Sequence, residues 1–337
     1  MSKVAIVILN FNGRNFLQQF LPSVIQFSSG AKIIVADNGS TDGSPDLVHE
    51  KFSQIELIRL EENKGFCGGY NEVLKRIQAT YYVLLNSDVE VTEDWLQPII
   101  DLLDADQTIA AAQPKMLSFK QKNKFEYAGA GGGLIDLMAY PFCRGRLFDS
   151  IEEDRGQYND TAEIFWATGA CFFVRANLYH QMGGLDEDFF AHMEEIDLCW
   201  KLKRAGHKIM YVGSSRVYHV GGGTLSALSP RKTYFNFRNG LSLLFKHQPT
   251  SSLLWKFPFR IMLDWIAALH FLATGSADHA KAVIIAHLSF GARFGREWKK
   301  RKLLTKLVHD FEVKPVYRGM IVYNYFVRGC KTSSSMD

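Results

Sequence analysis

The 337-residue chain has no CxxC pair, no GxGxxG turn and no uninterrupted apolar span of about 18 residues. Its five cysteines (Cys67, Cys143, Cys171, Cys199 and Cys330) are odd in number and widely scattered. That pattern argues against a disulfide framework and a zinc knuckle, and fits a reducing compartment. The glycine-rich segment 63–71 lacks both the spacing and the following acid of a dinucleotide-binding turn, which disfavours a nicotinamide or flavin enzyme. The apolar stretch 4–9 is too short, and too weakly preceded by basic charge, for a secretory signal. A cytoplasmic catalytic part is therefore expected.

What is present is the balance of an ordered globular protein: 47% hydrophobic and 22% charged residues. The length predicts one large catalytic domain over 1–240, a smaller appended region over 241–330, and a disordered tail over 331–337. The net charge of +4 hides an asymmetry. Residues 1–240 hold 24 Lys+Arg against 29 Asp+Glu, a net −5, whereas residues 241–337 hold 15 against 6, a net +9. Such a tail points to an anionic surface, with membrane lipid and nucleic acid as candidates. The segments 253–274 and 280–294 are apolar and aromatic but interrupted by Lys256, Pro258, Arg260, Asp264, His270 and His287. Together with the basic cluster Arg296, Lys299, Lys300, Arg301 and Lys302, they read as helices lying in a membrane interface, so lipid and no nucleic acid is the expected partner. An ordinary helical subdomain packed on the core is the alternative.

Residues 4–9, 33–36, 57–60 and 81–85 read as strands separated by helical patterns. This βαβα order predicts an α/β fold whose strands are covered by helices on both sides. Ligands bind such sheets at the carboxyl ends of the strands. Polar residues gather there: Asn10 and Asn12, Asp37 and Asn38, Asn63, and Asn86 with Asp88. Each loop alone could be a turn; four together predict one ligand crevice. Residues 120–160 loosen into glycines and aromatics and read as an insertion or mobile loop. IFWATGACFFV reads as a strand, residues 194–205 as a helix and 208–212 as the last core strand.

The segments VILNFNG, VADNGSTDGS, NKGFCGGYN, LNSDVEV, ATGACFFVRA, DEDFFAHMEEIDLCWKLKRAG and VYHVGGGT occur in that order. Together they resemble the successive blocks of a family-2 glycosyltransferase of the GT-A fold, closest to its rhamnosyltransferase-like branch, over residues 3–240. The resemblance implies a mixed Rossmann-like sheet flanked by helices, a nucleoside-diphosphate sugar as donor, and inverting transfer to a hydroxyl. It puts Asp37 on the base of the nucleotide, whereas Asp42 reads as a helix cap. It lines the nucleoside pocket with Asn63, Lys64, Gly65 and Asn71.

Asn86-Ser87-Asp88 stands where the family has a DxD metal motif, with the first acid missing. Asp88 is then the chief ligand of that loop, and a divalent ion (Mn²⁺ or Mg²⁺) neutralises the departing diphosphate. His219 matches a third ligand in related enzymes. The glycines and threonine of 221–224 make a loop suited to closing over the diphosphate.

Attack by a hydroxyl needs a positioned carboxylate. The acids Asp186, Glu187, Asp188, Glu194, Glu195 and Asp197 are its source, and the resemblance favours Glu195 over Glu194. Trp166 and Gly169 are expected in the donor or acceptor wall. Polysaccharide, O-antigen-like and lipid-linked acceptors are all compatible with these residues. Two other functions are weighed. A nucleotidyltransferase would need a basic phosphate-gripping loop near the N-terminus, where only Arg14 stands. An inactive sugar-binding or membrane-docking subunit would explain the missing acid.

Overall fold

Residues 4–8 have no polar face to offer water, and they lie at the centre of a sheet. Val4, Ile6 and Ile8 point to one side, Ala5 and Val7 to the other. The computed structural model describes residues 2–221, 229–308 and 311–336. Strand and helix alternate through β1 (Ser2–Asn10), α1 (Arg14–Phe27), β2 (Lys32–Asp37), α2 (Ser44–Lys51), β3 (Glu56–Arg59), α3 (Gly65–Leu74) and β4 (Ala79–Asn86). A short β5 (Val89–Val91), α4 (Gln97–Ala105) and β6 (Ile109–Ser118) follow. The first four strands are parallel, ordered β4-β1-β2-β3. Helices α1, α2 and α4 cover one face, with Leu17, Leu21, Val48 and Ile99 in its core.

The stretch 120–160 is not a loose loop. It carries a four-stranded antiparallel sheet of β7 (Gly133–Ile135), β8 (Pro141–Cys143), β9 (Arg146–Leu147) and β10 (Ser150–Ile151). IFWATGACFFV is likewise not one strand. It is the end of β11 (Thr161–Ile164), a crossing segment, and β12 (Cys171–Arg175), which runs antiparallel beside β4. Helices α5 (Ala176–Gln181) and α6 (Glu194–Arg204) join α3 on the second face, and β13 (Lys208–His219) pairs with β5, β6 and β11. The sheet is thus mixed, with nine strands.

Three helices close the chain's helical region: α7 (Pro230–His247), α8 (Thr250–Ala273) and α9 (Ala277–Leu307). The expected boundary at 240 falls inside α7, whose Leu241, Phe245 and His247 are all buried. Phe245 meets Phe257 of α8 and Phe290 of α9 in a shared aromatic cluster. Helix α10 (Ile321–Phe326) packs on the small sheet through Ile321 and Tyr325, beside Phe142 and Leu147. The stretch expected to be a disordered tail carries the 3-10 turn Ser333–Met336, with Met336 buried in the same cluster.

Helix α8 is turned inside out. Its buried residues are Lys256, Arg260, Asp264 and Ala268, four apart and so on one face. Leu254, Trp255, Ile266, Leu269 and Leu272 point outward, Leu254 being 77% and Leu269 63% exposed. The charges that interrupt the apolar run in sequence therefore do not interrupt the outer surface. Among the described residues no helix is long and apolar enough to cross a membrane.

Candidate active site

The loops after β1, β2 and β3 are knitted together by their own polar side chains. Asn10 donates to Asp37 Oδ1 at 3.4 Å and to Ser40 at 3.2 Å, while the Ser40 amide donates to Asp37 Oδ2 at 3.1 Å. Asn12, in left-handed backbone at φ 52°, accepts from the Thr41 amide at 2.8 Å. Asn38 donates to Asn63 Oδ1 at 3.0 Å and accepts from the Lys64 amide at 3.0 Å; Asn63 accepts the Gly65 amide at 2.8 Å. A side chain at Gly39 would strike the backbone of Glu62 and Asn63 at 2.8–3.0 Å, so glycine lets these two turns touch. Asn10 Oδ1 is buried without a partner, a defect worth about 1–3 kcal/mol that a ligand donor would relieve.

The fourth loop and the end of β13 meet at Asp88 and His219. Asp88 Oδ1 lies 3.1 Å from His219 Nε2, and Glu126 Oε2 faces His219 Nδ1 at 3.4 Å. Burial disfavours the imidazolium, yet the two flanking carboxylates outweigh it and raise the His219 pKa to about 10. Burial also works against the Glu126 carboxylate, but His219 holds its pKa below the ordinary value.

These residues fit a divalent ion, which would displace the proton that the two carboxylates otherwise hold on His219 Nε2. Adjacent ligands of an octahedral ion bound at about 2.1 Å stand roughly 3 Å apart, the spacing of Asp88 and His219. A carboxylate behind the other ring nitrogen is the usual orienting partner of a metal-bound histidine. Among the described residues no three metal-ligating side chains group together, so water and the diphosphate would complete the shell. Gly221, at φ 70°, abuts Glu126; the rest of the expected closing loop, Gly222, Gly223 and Thr224, lies outside the described residues.

The acids of 186–197 separate. Asp186 pairs with Lys246 and Lys300, Asp188 with Arg296 and Lys300, and Asp197 with Lys201, Lys246 and His247. Glu187 accepts from Asn71 at 3.0 Å. Glu194 and Glu195 have no ion pair among the described residues, and Oε2 of each is buried without a hydrogen-bond partner. Burial, set against backbone amides that include Gly169, pushes the Glu195 carboxyl up to about 7. Burial and the neighbouring Glu195 push Glu194 well above its ordinary value. Only Glu195 of the pair lines the cavity of about 320 Å³ that Trp166, Met193, Arg146 and Lys232 also line.

Close approaches join these parts. Asn86 donates its amide to Ala170 at 2.9 Å, and a side chain built on Gly169 would meet Phe66 at 3.4 Å and Glu195 at 3.8 Å. One added to Gly13 would collide with Asn10 and reach Ser87 at 3.3 Å. Trp166 donates to the Leu134 carbonyl at 2.8 Å with its ring against the cavity. Asn71 is different from the other expected pocket residues. It donates to Leu185 and Glu187 and accepts from Tyr179 and the Leu185 amide, which uses its full capacity and makes it a clamp on the loop ahead of Glu194. Glu126, Arg146 and Lys232 were missed in the sequence; the first two lie in the stretch without periodicity, and Lys232 follows the glycine loop with no motif of its own.

The family model for glycosyl transferase family 2 matches residues 5–183, just over half of the chain. The chain belongs to glycosyl transferase family 2. This glycosyltransferase is 25% identical over 234 residues to the N-acetylglucosaminyl-diphospho-decaprenol L-rhamnosyltransferase of Mycobacterium tuberculosis, covering 64% of this chain and 75% of that protein. Its fold is similar to that of the mannosyltransferase PcManGT of Pyrobaculum calidifontis, solved with GDP-Man and Mn²⁺ (TM-score 0.53, 14% identity, 86% of each chain). It is also similar to GalNAc-T7, solved with UDP, GalNAc and Mn²⁺ (TM-score 0.55, 15% identity, 74% of this chain and 49% of that one). At these identities the two structures speak for the fold, which is the expected GT-A architecture with C-terminal helices. Nothing in the family match supports a nucleotidyltransferase, and the meeting of Asp88 with His219 gives the inactive-subunit reading no support.

Proposed function

We propose that this glycosyltransferase moves a sugar from a nucleoside diphosphate to a hydroxyl by a single inverting displacement, with Glu195 as general base. The observation that carries this is the isolation of Glu195: it faces a cavity, no cation pairs with it among the described residues, and burial sets its pKa near the operating pH. Asn10, Asn12, Asp37, Asn63, Lys64 and Gly65 hold the nucleoside, with Asn71 positioning the loop ahead of Glu194. Asn86 lies at the diphosphate, Gly169 and Trp166 border the sugar, and Asp88 and His219 hold a divalent ion. That ion, when bound, supplies counter-charge for the leaving diphosphate. Glu195 takes the acceptor's hydroxyl proton as the oxygen bonds to the anomeric carbon, and the bond electrons leave with the diphosphate.

The mycobacterial relative, by its name, acts on a lipid-linked acceptor, and we carry to this chain a role in cell-surface glycan synthesis with a lipid-linked or saccharide acceptor. A panel of nucleotide sugars with Mn²⁺, read as release of the nucleoside diphosphate, tests the reading. One donor should be consumed, chelation should stop it, and Asp88→Asn should depress it; full activity of Asp88→Asn would remove the ion site.

Peripheral attachment to the inner face of the cytoplasmic membrane belongs to the same reading. The outward face of α8 supports it, since charges turned inward and aromatic and aliphatic side chains turned outward suit an interfacial helix. Truncation after 240 would cut α7, so the test is Ile266→Glu with Leu269→Glu in the full chain. Sedimentation with anionic vesicles should fall at least tenfold; unchanged binding would exclude this face.

A further inference from the structure

The cavity beside Glu195 carries two cations that serve no carboxylate. Arg146 of β9 and Lys232 of α7 both stand over the ring of Tyr127, the guanidinium carbon 3.2 Å and the ammonium 4.3 Å from its centroid. Neither forms an ion pair among the described residues; Glu126, whose charge favours the Lys232 ammonium from a distance, is engaged with His219 and the Ala128 amide. Lys232 is opposed from three sides. Burial and the Arg146 charge both lower its pKa, and it sits in the first turn of α7, where the helix dipole favours anions. Arg146 gives Nε to the Phe148 carbonyl at 2.8 Å and Nη1 to the Tyr127 carbonyl at 2.8 Å, which leaves Nη2 for another acceptor. Two like charges against one ring are tolerable when an anion neutralises them.

The remaining wall indicates what bears that anion. Trp166, Phe148 and Phe237 line it, and Arg260, on the inward side of α8, lines the same cavity while already paired with Asp264 at 3.0 Å. One helix thus has the cavity on one side and the exposed apolar face on the other.

We propose that Arg146 and Lys232 form an acceptor subsite for a phosphoryl group, so that the saccharide presented to Glu195 is one joined to its lipid through phosphate. This rests on the reading of Glu195 as the base of a glycosyl transfer. The test uses the full-length enzyme, the donor found in the nucleotide-sugar panel, and one sugar offered in two forms: a decyl diphosphate ester and a decyl glycoside. Charge-assisted contacts of this kind are worth about ten- to hundred-fold in binding. The unsubstituted enzyme should have a KM at least tenfold lower for the diphosphate form. Lys232→Ala should raise that KM about tenfold and move the glycoside KM less than twofold, and Lys232→Arg should restore it. Arg146→Gln should give the same split.

Equal weakening of both acceptors, or a rise in donor KM instead, overturns the subsite while leaving the transfer reading standing. Failure of the unsubstituted enzyme to consume any donor with either acceptor sinks the transfer reading, and the subsite with it.

Discussion

Two parts of one acidic segment meet opposite fates. Asp186, Asp188 and Asp197 are met by cations from α6, α7 and α9, whereas Glu194 and Glu195, in helix α6's first turn, meet none among the described residues. The first group ties the C-terminal helices to the sheet domain; the second keeps perturbed protons, and its member Glu195 faces a cavity. The contrast teaches that a run of acids is not one feature, and that the countercharge separates its structural members from its chemical ones.

The sharpest way to break this comparison is Glu195→Gln. Loss of a general base should lower kcat about 10²- to 10⁴-fold in a nucleotide-release assay with the donor KM little changed; a variant retaining half its activity would erase the distinction. Asp197→Ala should act on the other side of it. Lys201 loses its ion-pair partner while Lys246 keeps Asp186, so the change should cost about 3 kcal/mol, seen as a lower midpoint in urea.

The pH profile is a finer test. Glu195 must be ionised to accept a proton, so kcat/KM should rise with pH toward an apparent pKa near 7 and then level. Glu194 does not line the cavity, so Glu194→Gln should leave the limb in place and cost less than about tenfold in rate. Stability carries the opposite sign. A carboxyl whose folded pKa exceeds its unfolded value near 4.5 is most favourable to the fold at low pH and loses that benefit as pH rises toward 7. Glu195→Gln should therefore melt higher than the parent at pH 8 and level with it at pH 4. The smallest effect is Arg296→Gln: its pair with Asp188 is largely solvent-exposed, and the change in stability should fall within about 1 kcal/mol.

Much of this was legible in the residues, for reasons that also explain the rest. Strands β1, β2 and β4 announce themselves because both faces are apolar, and their polar ends mark the crevice. Strand β6 was invisible because Pro114 reads against a strand, yet its pairing with β12 ends at Ala112, ahead of the missing N–H. Asp88 and His219 are 131 positions apart and came from resemblance, not spacing. Glu126 stood in a stretch with no period to read. Composition gave the basic tail its size but not its direction: Lys246 and Lys300 point inward at acids, so part of the +9 was never available to an outside partner.

The reversed polarity of α8 has a consequence for handling the molecule. In plain buffer, Trp255, Ile266 and Leu269 have only another copy of themselves to hide against, while a detergent micelle offers the same shelter to a single chain. An elution volume on a sizing column would then follow the amphiphile added rather than any native stoichiometry, and Ile266→Glu with Leu269→Glu should make it constant.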